Sequence, residues 1–371
     1  LLVRRLSGRV TALLAGVLVA LAPLLVWYSQ ELRMFQPAAT GLVWSAYFLL
    51  RGWQSNDWRA RLGWWLGFVL AMEAALYSYL FAAFMLPAAG LTLIALLLLD
   101  RSADGAWRTR RFAEGALAVG AAGLLFLPLA RNAWLVNEAE STPGRAFQDF
   151  TANTERLLRN VTVWRVDWPD EFKAVVIALL GLLILIGIAL PWPSPRPPTK
   201  PAYAPATPRY LDQAWLLIWI ATPFLIANLL LSRSDSVFQE DRYLLFMGPF
   251  ALWALARGVT AIGRRLKVAG ALLAGVVVML FVLALPRLWT PDLYRENWRA
   301  AVEYVTNYQL QSEELPASMV AHVDYTRRPV EWYLRQELDE EALPLFFPYG
   351  GTLTPAMVDD VVAPPLEGIV Y

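Results

Sequence analysis

Apolar residues run through the first 288 positions in blocks of roughly 15 to 20, separated by short polar, basic or proline-rich stretches. A helix needs about 20 mostly apolar residues to cross a bilayer. The pattern places such helices at 10–28, 35–52, 63–78, 80–99, 113–130, 173–191, 212–231, 243–257 and 268–287, about nine spans in all. The third and fourth meet at Tyr77-Ser78-Tyr79, which reads as a tight turn or as a bend in one long helix. Between the fifth and sixth, Phe150, Leu157, Leu158 and Val161 fall at helical spacing in the stretch 147–161. That spacing predicts a helix lying on the membrane surface. The segment 192–210 repeats proline, which removes donors and fixes φ, so it reads as a stiff extended linker.

Beyond residue 288 the pattern changes to that of a water-soluble chain. Helices are predicted over 296–309 and 328–336, and strands over 318–323 and 343–347. The expected fold is therefore mainly α. A polytopic transmembrane helix bundle fills 1–288, and a small soluble α/β domain, expected to be truncated, fills 289–371.

Composition sharpens this picture. The chain is 57% hydrophobic and only 17% charged, against about a quarter charged in ordinary soluble domains. Its 17 tryptophans include Trp27, Trp53, Trp64, Trp65, Trp134, Trp192 and Trp289 near span ends, the positions of an interfacial belt. A net charge of +1 gives no general case for nucleic acid. Cysteine is absent and His322 is the single histidine. Thiolate and multi-histidine metal sites are thereby excluded, and neither a metal-ligating residue nor a cofactor is identified.

Charge also suggests an orientation. With the N-terminus in the cytoplasm, the inner segments 1–9, 51–62, 100–112, 192–210 and 257–267 hold 17 Lys and Arg. The outer segments, of nearly equal total length, hold 8. The excess of basic residues on one side fits cytoplasmic loops. Residues 289–371 then lie outside the cell membrane.

No Walker loop, GxGxxG, HExxH, GxSxG or DxD motif occurs, so polar residues at the membrane edge carry the case for chemistry. The first cluster is Trp27-Tyr28-Ser29-Gln30-Glu31-Leu32-Arg33-Met34-Phe35, between the first two spans. Ionisable groups there line a polar cavity or pair with one another at the interface. The second is Gln239-Glu240-Asp241-Arg242-Tyr243, opening a short span that contains Gly248-Pro249. Short, Gly/Pro-interrupted segments border binding sites in membrane proteins. Arg242 has the planar fork that suits a phosphate, or it anchors the helix at the interface. Glu73 lies mid-span, and a hydrogen bond to a neighbouring helix is the expected reason for it.

The stretch Pro23-Leu24-Leu25-Val26-Trp27-Tyr28-Ser29-Gln30-Glu31-Leu32-Arg33-Met34-Phe35 resembles the bacterial relatives of the dolichyl-phosphate-mannose protein mannosyltransferases. Leu76-Tyr77-Ser78-Tyr79, Arg242-Tyr243-Leu244-Leu245 and Asn297-Trp298-Arg299-Ala300-Ala301 resemble further elements of that family, in the family's order. Phe35 stands where the family has Tyr, and Ser78 where it has His.

The resemblance implies a membrane glycosyltransferase of the GT-C architecture. Such an enzyme takes a sugar from a polyprenyl-phosphate donor and passes it to a lipid, glycan or protein acceptor at the outer face. It implies a catalytic or orienting role for Glu31, and substrate binding by Tyr28, Gln30, Arg33, Arg242 and Tyr243. The family's acidic base sits in an outer loop after an initial span, and residues 1–9 resemble a later inner loop. The base is therefore expected upstream of Leu1. The rival class is a polytopic lipid or polysaccharide transporter, which would typically show internal repeats.

Overall fold

The computed structural model describes residues 1–30, 34–100, 104–139, 150–190, 210–231, 245–289, 298–311, 318–321, 324–337 and 345–348. These residues are mainly helical. They fall into two compact units, Leu1–Leu288 and Trp289–Tyr371.

The first unit begins with α1 (Leu2–Leu6), α2 (Arg9–Leu21), α3 (Pro23–Ser29), α4 (Phe35–Gln54) and α5 (Trp58–Ser78). It continues with α6 (Met85–Leu99), α7 (Gly105–Ala139), α8 (Phe150–Thr162), α9 (Asp170–Ala189), α10 (Leu211–Leu231), α11 (Gly248–Arg265) and α12 (Lys267–Ala284). A helix therefore stands at each of the nine places that the apolar pattern marked. Among the described residues, six are long and apolar enough to cross a membrane: those containing α6, α7, α9, α10, α11 and α12. The bent pair α2–α3 makes a seventh if it counts as one broken span. Helices α4 and α5 are as long as spans, at 20 and 21 residues, but are diluted by groups such as Gln36, Arg51, Arg59, Arg61 and Glu73.

Helix termini follow local chemistry. Asp57 caps α5, its carboxylate accepting from the backbone N–H groups of Arg59 and Ala60, as acidic N-caps do. Tyr79 is extended at φ −151°, and a 3-10 turn over Leu80–Phe84 leads into α6. Tyr77-Ser78-Tyr79 is thus a true break between two helices. Pro249 occupies the first turn of α11, where its missing N–H costs nothing. It starts that helix rather than interrupting it, and the span runs to Arg265 instead of ending near residue 257.

Lipid tails are as apolar as Leu, so membrane helices gain their association from close packing and interhelical hydrogen bonds. Both occur here. A Cβ at Gly41 would come within 2.8 Å of the Ala71 carbonyl oxygen, and one at Gly52 within 2.8 Å of the Trp65 ring. These two glycines let α4 lie directly on α5. Gly187 of α9 and Gly258 of α11 face each other's helix so closely that a Cβ on either would overlap backbone. Trp219 of α10 donates to Thr92 of α6 at 2.8 Å, and Asn153 of α8 to Asn228 of α10 at 2.9 Å.

Several residues of the expected belt and basic loops lie inside instead. Trp53 and Trp65 are buried; their indole N–H groups donate to Asp100 at 2.9 Å and Glu114 at 3.4 Å. Arg257, counted above among solvated loop cations, is 3% exposed and ion-paired to Asp212 at 2.8 Å. Helix α8 forms over nearly the expected stretch, with Leu157 and Leu158 packed on the core and Val161 buried.

The second unit contains α13 (Trp298–Gln311), β1 (Ser318–Ala321), α14 (Asp324–Glu337) and β2 (Leu345–Pro348). The two strands pair in parallel with Ser318 opposite Leu345. Parallel neighbours need a crossover, and α14 supplies it while packing on α13 and both strands. His322 and Asn297 lie outside the described residues.

Candidate functional site

The first cluster is built on a broken helix. Ala22 precedes a proline, which disfavours the α region, and sits at φ −63°, ψ 121°. The axis turns by 59° there, and Pro23 opens the short helix α3. Its end is tied locally: Ser29 Oγ donates to the Val26 carbonyl at 2.7 Å, and the Gln30 N–H to the Trp27 carbonyl at 3.2 Å. Gln36 of α4 reaches back and donates its side-chain amide to the Leu25 carbonyl at 2.6 Å. That bond fixes the separation between the two sides of the loop carrying the first motif.

A chain of aromatic rings converges on this end. Tyr28 meets Phe35 edge-on at 5.5 Å, and Phe35 meets Tyr79 edge-on at 5.2 Å. Tyr79 in turn lies 6.2 Å from Phe246. Residues near the two ends of the first cluster, at the α5–α6 break, and just after the second cluster are thus brought to one place. A Cβ at Gly248 would touch Leu25 at 3.5 Å, which sets the start of α11 directly against α3.

Trp164 completes the cluster, and sequence reasoning gave no sign of it. It is 4% exposed, with its ring 5.5 Å from Trp27 and 6.1 Å from Tyr28. Its φ is +41°, a region where a bulky residue is a genuine outlier. The Trp164 N–H donates to the Arg159 carbonyl at 2.7 Å, closing the turn after α8 where glycine is usual. The side-chain contacts hold a backbone conformation that the residue itself disfavours.

Beside the cluster lies a cavity of about 470 Å³ between α2, α3, α4 and α11. Ala15, Val19, Val43, Trp44 and Phe250 give it an apolar wall, while Ser29, Gln36 and Thr40 supply polar atoms.

Of the six expected site residues, Tyr28 is buried within the ring cluster and Gln30 is exposed at the end of α3. Glu31, Arg33, Arg242 and Tyr243 lie outside the described residues. Glu73 does not make the expected hydrogen bond. Both of its carboxylate oxygens are enclosed by protein and neither has a hydrogen-bond partner among the described residues.

No curated protein and no solved structure matches this chain. Residues 1–128 match the family model described as dolichyl-phosphate-mannose-protein mannosyltransferase, and this stretch includes the broken helix, the first motif and the Tyr77–Tyr79 break.

Proposed function

We propose that the protein transfers a sugar from a polyprenyl-phosphate donor to an acceptor hydroxyl at the outer face of the cell membrane. One observation carries this reading: the Tyr28–Phe35–Tyr79–Phe246 ring chain gathers residues at the edges of both polar clusters beside an apolar cavity. A lipid-linked sugar phosphate needs that combination, with fixed donors for the phosphate and an apolar slot for the tail.

In this mechanism Arg33 and Arg242 hold the donor phosphate. Glu31 orients Arg33 or the acceptor, and Tyr28, Gln30 and Tyr243 line the sugar and phosphate site. The acceptor oxygen forms a bond to the anomeric carbon as the bond from that carbon to the phosphate oxygen breaks. Polyprenyl phosphate leaves with the added negative charge. Preorganised guanidinium groups stabilise that charge without reorganising. The acceptor proton passes to a carboxylate base. The N-terminus of the chain is cytoplasmic, and Trp289–Tyr371 forms an extracytoplasmic α/β domain around the β1–α14–β2 unit.

The test uses the full-length protein and a polyprenyl-phosphate sugar with the radiolabel in the sugar. Arg33→Lys and Arg242→Lys each lower transfer roughly 10²-fold, the scale of losing one fixed donor from a charge-developing site, because Lys does not reproduce the bidentate fork. Normal transfer by the double Arg→Ala variant overturns the shared-phosphate role. Movement of intact donor across vesicles without any transfer overturns the enzyme and favours a transporter.

A further inference from the structure

The side of the α4–α5 pair carries a row of rings that ends in an unpaired cation. Trp44 stacks on Phe48 at 5.5 Å with planes 27° apart, and Phe48 on Trp64 at 5.9 Å and 30°. The Arg51 guanidinium then lies 4.7 Å from the centre of the Trp64 ring. The start of the row is open, with Trp44 43% exposed. The same Trp44 also lines the apolar cavity.

The buried arginines among the described residues of this unit are ion-paired, and half-buried Arg51 is not. Arg61 and Arg111 share Glu114, and Arg257 has Asp212. Arg51 has no carboxylate partner among the described residues. Its Nε is enclosed without a hydrogen-bond partner, which leaves the two terminal nitrogens, the ends that fork a phosphate. A second cation adds to the imbalance: Arg5, whose side chain donates to Gln54 at 3.3 Å, repels Arg51. Two cations with no carboxylate partner among the described residues, held at one end of an apolar row, call for an anion with a hydrophobic body.

We propose that Arg51 and Arg5 bind the headgroup phosphate of an anionic phospholipid, whose acyl chains lie along Trp64, Phe48 and Trp44. The aromatic row favours a lipid over a free phosphate, since a soluble anion would leave these rings without a role. Guanidinium stacking on an indole fixes the fork in place, so the entropic cost of ordering the side chain is already met before the lipid arrives. The proposal involves neither Arg33 nor Arg242 and does not depend on the transfer reaction.

Native mass spectrometry of the full-length protein from mixed micelles of phosphatidylglycerol and phosphatidylcholine tests it. The wild type retains phosphatidylglycerol in preference. Arg51→Ala reduces that preference about fivefold, the factor implied by ~1 kcal/mol per basic residue at an anionic lipid surface, and Arg5→Gln reduces it less. Arg59→Gln removes an exposed charge from the start of α5 and leaves the preference unchanged. Should Arg51→Ala not purify, Trp64→Leu, which keeps both charges but removes the stacking surface, lowers retention in its place. Equal retention of the two lipids by the wild type, or equal losses in the Arg51 and Arg59 variants, overturns the site. Displacement of the lipid by soluble glycerol phosphate would assign the arginines to a free phosphate and overturn the lipid reading.

Discussion

The two ends of the Leu1–Leu288 unit are built from different materials. At the end where α3 stops and α4 starts, rings do the joining: Trp27, Tyr28, Phe35, Tyr79, Trp164 and Phe246. At the other end, charges do it. Asp212 accepts from Arg257 Nε at 2.8 Å and from the Ser7 hydroxyl at 3.2 Å, and Trp253 donates to Ser7 at 3.0 Å. Arg257 also donates to the Gly187 and Leu190 carbonyls, satisfying the open C-terminal end of α9 that no further turn of helix can serve. Arg264 adds a bond to the Ser7 carbonyl at 3.2 Å.

The difference separates holding from acting. A buried ion pair whose Arg257 Nε and Nη1 both have acceptors fixes one arrangement of α1, α9, α10 and α11. Aromatic contacts are less directional, and they hold residues at the edges of the polar clusters. The broken helix belongs to the aromatic end, while each end has one non-glycine residue at positive φ, Trp164 at +41° and Tyr210, two residues before Asp212, at +101°.

The largest effect that would break this comparison is at Arg257. Arg257→Ala leaves Asp212 buried and unpaired, and such losses cost about 3–5 kcal/mol. The variant should unfold at markedly lower temperature in detergent, while Asp212→Asn with Arg257→Met together recovers much of the loss. If the single variant melts like the wild type, the charged end is not the staple described here.

Next in size is Gly258→Ala. The added methyl meets α9 backbone, and overpacking of this kind costs roughly 1–3 kcal/mol. Gly275→Ala, where a Cβ meets nothing within 4 Å, should leave the melting temperature unchanged. Equal behaviour of the two would remove close packing from the account of α9 and α11.

The smallest effect sharpens the aromatic end. Trp164→Leu removes the ring contacts with Trp27 and Tyr28, worth about 0.5–1.5 kcal/mol each. Stability should fall modestly, and sugar transfer should fall further than stability explains, because Tyr28 loses its support. A proportionate loss of both would make Trp164 a packing residue only.

Much of the bundle was legible because period and length are local properties. The apolar blocks marked every helix of the first unit that serves as a span candidate, and the 318–323 and 343–347 patterns fell on the two strands. The proline at 23 foretold the end of one helical segment, yet not its use, since a 59° break gains meaning only from what packs beside it. Arg257 and Trp53 were misread for one physical reason. A polar residue near a span end looks the same in sequence whether water or a buried carboxylate satisfies it, and Asp212 and Asp100 are far away along the chain.

The sequence by itself determined that this chain is a membrane protein, where its helices stand, and which short motif resembles a glycosyltransferase family. It did so because transfer into lipid depends on runs of side chains, and a contiguous motif travels with its own neighbours. Only the tertiary structure decided that Tyr28, Phe35, Tyr79, Trp164 and Phe246 form one cluster, that Arg257 is a buried staple, and that Arg51 stands on a row of rings with no carboxylate partner among the described residues. Those facts depend on contacts between residues tens to hundreds of positions apart, and the polarity of a single stretch of chain holds no record of what lies across the bundle.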